Sequence, residues 1–76
     1  MSGPVILDAT GLKCPLPVLK ARKAMRDLPE GGVLRVIATD PGAVKDFEHF
    51  CKTTGHQLLA RREEAGTLTF DIRKQG

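Results

Sequence analysis

Hydrophobic positions recur along the chain with two different periods, and the changes between them mark out six elements. Val5–Asp8 is a short apolar run that stops at Thr10-Gly11, which reads as a first strand. From Pro15 to Leu28 the period becomes helical. Pro17, Val18, Ala21, Ala24, Met25 and Leu28 form one stripe, with Lys20, Lys23, Arg26 and Asp27 opposite. Leu16 and Leu19 fall among the polar residues, off the stripe. Pro15 and Pro17 fit a first helical turn, whose N–H groups have no intrahelical partner, and this places Cys14 at or near the N-cap. Pro29-Glu30-Gly31-Gly32 is a turn. Val33–Ala38, rich in β-branched residues, is a second strand.

Thr39-Asp40-Pro41-Gly42 announces a second helix, with Asp40 as N-cap and Pro41 at the first helical position. This helix runs to about Thr54, and Gly55 is placed to end it in a left-handed conformation. Ala43, Val44, Phe47, Phe50, Cys51 and Thr54 share its apolar face, with Lys45, His49 and Lys52 opposite. Gln57–Arg62 and Thr67–Arg73 read as a closing hairpin around Glu64-Ala65-Gly66. Its second strand alternates Leu68, Phe70 and Ile72 against Thr69, Asp71 and Arg73. The order strand-helix-strand-helix-strand-strand predicts an α/β two-layer sandwich, with two helices on one face of a four-stranded mixed sheet. The strand–helix–strand units favour parallel pairing, and the final hairpin is antiparallel.

Composition narrows what such a fold can do. At 76 residues the chain fits a single domain over 1–76. It buries only about 60% of its unfolded surface, too little for a cleft between two lobes. No apolar run approaches a membrane span. The three Phe, with no Trp or Tyr, make a poor platform for stacking bases, so direct nucleic-acid binding is not expected. Two cysteines are too few to staple a secreted fold, and the first residues lack the pattern of a signal peptide. Both point to a reducing cytoplasm. The net charge of +3 is unevenly spread. Positions 11–26 hold five basic residues and no acid, while the remaining sixty hold seven basic and nine acidic residues.

That cationic stretch surrounds Cys14-Pro15-Leu16-Pro17. A helix N-terminus carries about +0.5 charge and unpaired N–H donors, which favour a thiolate over a thiol. Lys13, Lys20, Arg22 and Lys23 add positive charge nearby. Cys14 is therefore expected to be exposed and to have a depressed pKa. The plainer alternative is a small packed residue in a cap position, although two prolines and a cationic setting exceed what packing requires. Cys51, on the apolar stripe with Phe47 and Phe50, is expected to be a buried core thiol. His49 points away from Cys51 on the helix wheel, and no ligand pair has zinc spacing, so no metal site is expected. His49 reads as a surface residue and His56 as the start of a strand. Asp40 is accounted for by capping, and Asp8 by ending its strand. Gly31-Gly32 precedes a strand and makes no phosphate loop. No small-molecule cofactor is implied.

The sequence resembles the TusA/SirA-like small sulfur carriers over nearly its whole length. The likeness rests on LDATGLKCPLPVLKARKAM around the thiol, on TDPGA after the second strand, and on FEHFCKTTGHQLL further on. Members of that family have the two-layer fold reached above. The resemblance implies a sulfurtransferase whose signature cysteine, here Cys14, accepts sulfane sulfur as a persulfide, with Pro15 and Pro17 as the signature prolines. The donor would be a cysteine desulfurase or a rhodanese-type protein, and the acceptor a further sulfur-relay protein. Thiolation of the tRNA wobble uridine, molybdenum-cofactor biosynthesis and sulfur oxidation are the routes known in the family. A relay needs an accessible thiolate and a docking surface rather than a substrate pocket. Leu16 and Leu19, ringed by Lys20, Lys23 and Arg26 with Lys13 beside the thiol, are the candidate docking residues of a protein expected to be a monomer. Two readings compete: a small basic nucleic-acid-binding module, and a redox regulator in which Cys14 pairs with Cys51.

Overall fold

The computed structural model describes residues 3–75, so residues 1, 2 and 76 of the expected 1–76 domain lie outside it. Among the described residues the elements are β1 (Val5–Ala9), α1 (Leu16–Arg26), β2 (Val33–Ala38), α2 (Ala43–Thr54), β3 (Gln57–Glu64) and β4 (Thr67–Arg73). Alternation decides how the strands face. Leu34, Val36 and Ala38 of β2 are buried, as are Leu68, Phe70 and Ile72 of β4, while the residues between them are partly open. The strands lie in the order β1-β2-β4-β3. β1 runs parallel to β2, and β4 is antiparallel to both of its neighbours. Both helices pack on one face of this mixed sheet, as the periodicity predicts.

The core lies between the layers. Pro17, Ala21 and Met25 of α1 and Ala43, Phe47, Phe50 and Cys51 of α2 are the buried helical residues. Phe47 packs on Phe70 with ring centroids 4.7 Å apart and meets Phe50 edge-on at 6.3 Å. Such offset and edge contacts suit the aromatic quadrupole. Thr54, expected on the same face, is exposed and instead donates its hydroxyl to the Phe50 carbonyl at 2.6 Å.

The element ends differ from expectation for local reasons. α1 stops at Arg26, two residues early. The Asp27 and Leu28 N–H groups fold back onto Ala24 and Met25 carbonyls, and a residue before proline resists helical geometry. α2 begins at Ala43, not Pro41. Asp40-Pro41-Gly42 forms a turn instead, in which the Asp40 carboxylate accepts the Gly42 N–H at 3.0 Å, and the N-cap is Gly42. Gly55 ends α2 at φ 83°, as expected. β3 extends to Glu64, two residues beyond expectation. The hairpin closes through Ala65 and Gly66 alone, both at positive φ (52° and 82°), which gives the twist a two-residue hairpin requires. An irregularity in the β3 register between Leu58 and Ala60 leaves Leu59 outside the ladder, 46% exposed.

Because β1 and β2 are parallel and each leads into a helix, α1 and α2 both start at the carboxyl end of these strands. The turn between β3 and β4 reaches the same pole, since Leu68 pairs with Ala38. Three loops thus converge where Cys14 sits. The described residues contain no helix long and apolar enough to cross a membrane.

Candidate functional site

Cys14 is exposed and lies one residue before Pro15, the N-cap of α1. Its peptide bond to Pro15 is cis. The Lys13 carbonyl accepts the Leu16 N–H at 2.8 Å, and the Pro15 carbonyl accepts that of Leu19 at 3.1 Å. These bonds form the first turn of α1 on a rigid proline frame, and Pro17 is buried beneath it.

Two carboxylates from the second crossover hold the cysteine. The Cys14 backbone N–H donates to Asp40 Oδ2 at 2.7 Å, so one Asp40 oxygen serves its own turn and the other reaches across to the thiol loop. These N–H donors, Cys14 first and Gly42 second, hold the Asp40 carboxyl below its usual range, and the charge of Lys13 adds to this. Gly11 is tied to the same crossover through the Thr39 hydroxyl at 2.9 Å. The Cys14 thiol donates to the Asp46 carboxylate, in the first turn of α2.

This arrangement overturns the expected depression of the Cys14 pKa, which is pushed up to about 11. The hydrogen bond to Asp46 is the main cause, followed by lost hydration and then the charges of Asp46 and Asp40. The helix argument fails for an identifiable reason. Pro15 and Pro17 have no N–H to offer, the Leu16 N–H is already taken by Lys13, and a helix end supplies only a partial charge. A full carboxylate in contact outweighs it. The resting cysteine is a thiol with a proton acceptor beside it.

The candidate docking residues divide. Leu19, 52% exposed, lines a groove of about 300 Å³ between the helices, together with Pro15, Val18, Arg22, Asp46, His49, Phe50 and Thr53. Leu16 is 46% exposed, and Lys13, Lys20, Lys23 and Arg26 are all exposed. Leu19 thus also borders the groove between the helices, with Leu16 and the four cations exposed on α1 and the loop before it. Asp46 and His49 were not among the candidate site residues, and Arg22 entered only as positive charge near the thiol. Arg22 extends over the Phe50 ring at 5.9 Å from its centroid. His49 is exposed, as expected, and faces this groove. His56 precedes β3, accepts the Gln75 N–H on Nδ1 at 3.1 Å and packs on Phe50. Burial and the charge of Lys74 lower its pKa. Cys51 is buried, and burial raises its thiol pKa.

Fold and site together define a small two-layer α/β protein with an exposed thiol at the shared start of its helices. A family model described as sulfurtransferase TusA matches residues 5–74. The sulfur carrier protein TusA of Allochromatium vinosum is 54% identical over 68 residues, covering 90% of each chain. That of Pseudomonas paraeruginosa is 52% identical, covering 99% of this chain and 98% of its own. The crystal structure of a SirA-like protein from Desulfitobacterium hafniense superposes with a TM-score of 0.82 at 27% identity, over 95% of this chain and 99% of that one. The chain belongs to the sulfurtransferase TusA family.

Proposed function

We propose that this protein is a sulfur carrier that accepts sulfane sulfur on Cys14 as a persulfide and passes it to an acceptor protein. Its relatives are named as sulfur carriers, and the Cys-Pro-x-Pro turn presents Cys14 to solvent at a pole built by three loops. That exposed thiol, with a proton acceptor in contact, is the observation that carries the reading. Catalysis takes the form of a relay: the sulfur is bound covalently, carried and released, so no enclosed substrate site is required. A cysteine desulfurase or a rhodanese-type protein is the class of donor, and a second sulfur-relay protein the class of acceptor. Two unpaired thiols suit a reducing cytoplasm.

The test is intact-mass analysis after incubation with a cysteine desulfurase and free cysteine. One sulfur atom should be gained, localised to Cys14, lost on reduction and absent from Cys14→Ser. No adduct, together with salt-sensitive binding to RNA or DNA, would instead support a nucleic-acid-binding module. For docking we propose Leu16, Leu19 and the cations Lys13, Lys20, Lys23 and Arg26. Their support is an exposed apolar pair on a helix rich in positive charge, beside the thiol. Replacing Leu19 with Ala and Lys23 with Glu together should slow sulfur uptake severalfold while leaving the circular dichroism spectrum unchanged. Unaltered transfer kinetics with both donor and acceptor would discard that surface.

A further inference from the structure

Helix chemistry alone gives Asp46 an ordinary explanation, because an acid in a first turn is favoured by the helix dipole. Its position adds a second role. Asp46 is half-buried, borders the groove between the helices, and accepts the proton of the one exposed thiol. It forms no ion pair among the described residues. The charged and titratable groups facing this spot come from every element around it: Lys13 beside the thiol, Asp40 from the loop after β2, Arg22 from α1 and His49 from α2.

The two chemical states of a sulfur carrier present opposite faces to such a carboxylate. An empty cysteine is a thiol, with a proton to donate. A loaded cysteine is a persulfide, a stronger acid than its parent thiol and anionic near neutral pH. It has no proton to give and carries the same charge as its neighbour. One fixed carboxylate therefore attracts the first state and repels the second.

We infer that Asp46 is a catalytic residue that latches the empty Cys14 thiol, takes up its proton during loading and drives the loaded persulfide away from α2. This rests on the persulfide-carrier reading given above. In the loading step Cys14 Sγ attacks the outer sulfur of a donor persulfide, R–S–SH. The new bond joins Sγ to that sulfur, and the donor's S–S bond breaks. The Cys14 sulfur is oxidised, and the donor's inner sulfur takes the bonding pair and is reduced to a thiolate. The Cys14 proton moves to Asp46 and on to that departing thiolate, giving R–SH. The transferred sulfur then loses its own proton to solvent. Two proteins suffice, with no further oxidant or reductant. Like-charge repulsion turns the persulfide outward, toward the face an acceptor approaches.

Two measurements test this. The first follows alkylation of Cys14 by iodoacetamide against pH, in the native protein and in Asp46→Asn. In the native protein the rate should climb toward about pH 11, whereas in the variant it should level off nearer the ordinary thiol value of 9.0. Near neutrality the variant should react severalfold faster, because the gain in thiolate exceeds the accompanying loss of nucleophilicity, while lost hydration and the charge of Asp40 keep part of the shift. Superimposable profiles would overturn the latch. The second needs no variant. The carboxylate ¹³C signals of Asp46 and Asp40 are followed at fixed neutral pH while inorganic polysulfide loads Cys14, with loading checked by intact mass. The Asp46 signal should move as the thiol bond is lost, while that of Asp40, held by backbone N–H groups, stays nearly still. A loaded Cys14 beside an unmoved Asp46 sinks the latch alone. A Cys14 that takes up no sulfur sinks the carrier reading and the expulsion step with it.

Discussion

Cys14 and Cys51 are both weaker acids than a free thiol, for opposite reasons. Cys51 is buried with Phe47 and Phe50, and its anion is disfavoured because the surroundings cannot solvate it. Cys14 faces water, and its anion is disfavoured chiefly because Asp46 binds the neutral form. Burial is a property of the whole core and reverses only when the protein opens. A hydrogen bond to one carboxylate reverses when that carboxylate is moved, neutralised or paired. A raised pKa thus marks an inert thiol in one place and a releasable one in the other.

The largest expected effect would break this comparison outright. Cys14→Ser should lose sulfur uptake completely, whereas Cys51→Ser should retain it, both read by intact mass after desulfurase treatment. Uptake surviving in Cys14→Ser would give the two thiols the reverse roles. A smaller effect sharpens it from the stability side. Cys51→Ser buries a hydroxyl in an apolar cluster and should cost about 1–3 kcal/mol in urea unfolding, while Cys14→Ser leaves the midpoint where it was. The smallest concerns the loop that presents the exposed thiol. Asp40→Asn should lower the thermal midpoint modestly at neutral pH. The Asp40 carboxyl is depressed in the folded protein, so its stabilisation is present above the ordinary value of 3.8 and lost as pH falls through the lower folded value. The gap between variant and native protein should close over that acidic window. A gap independent of pH would show that Asp40 acts through shape, not charge.

The pattern of the sequence carried the fold well, because each strand and each helix buries one face and the period of that face is visible. β2 and β4 alternate without error, and Gly55 stops α2 where a left-handed residue is needed. The ends were harder to read. Asp40, Pro41 and Gly42 carry helix-start signals, yet the Asp40 side chain stabilises a turn that delays α2. The exposure of Cys14 was legible from its place before Pro15 and Pro17. The direction of its pKa shift was not, since that depends on Asp46, 32 positions away. The spacing of residues says nothing about that pair. The topology does: two helices that each follow one of two adjacent parallel strands begin at the same edge of the sheet. Asking which side chains of α2 meet the start of α1 would have brought Asp46 into the site, then His49, and with them Arg22 from the facing side of α1.

The strand register also settles where the rest of the chain leaves the fold. Val5 pairs with Leu34 and Arg73 with Val33, so the residues leading into β1 and those following β4 emerge together at the pole opposite Cys14. The length of β2, roughly 20 Å, separates that exit from the thiol. A label attached near Pro4 or Lys74 would hang from the far side like a keel, leaving the tip that carries Cys14 uncovered.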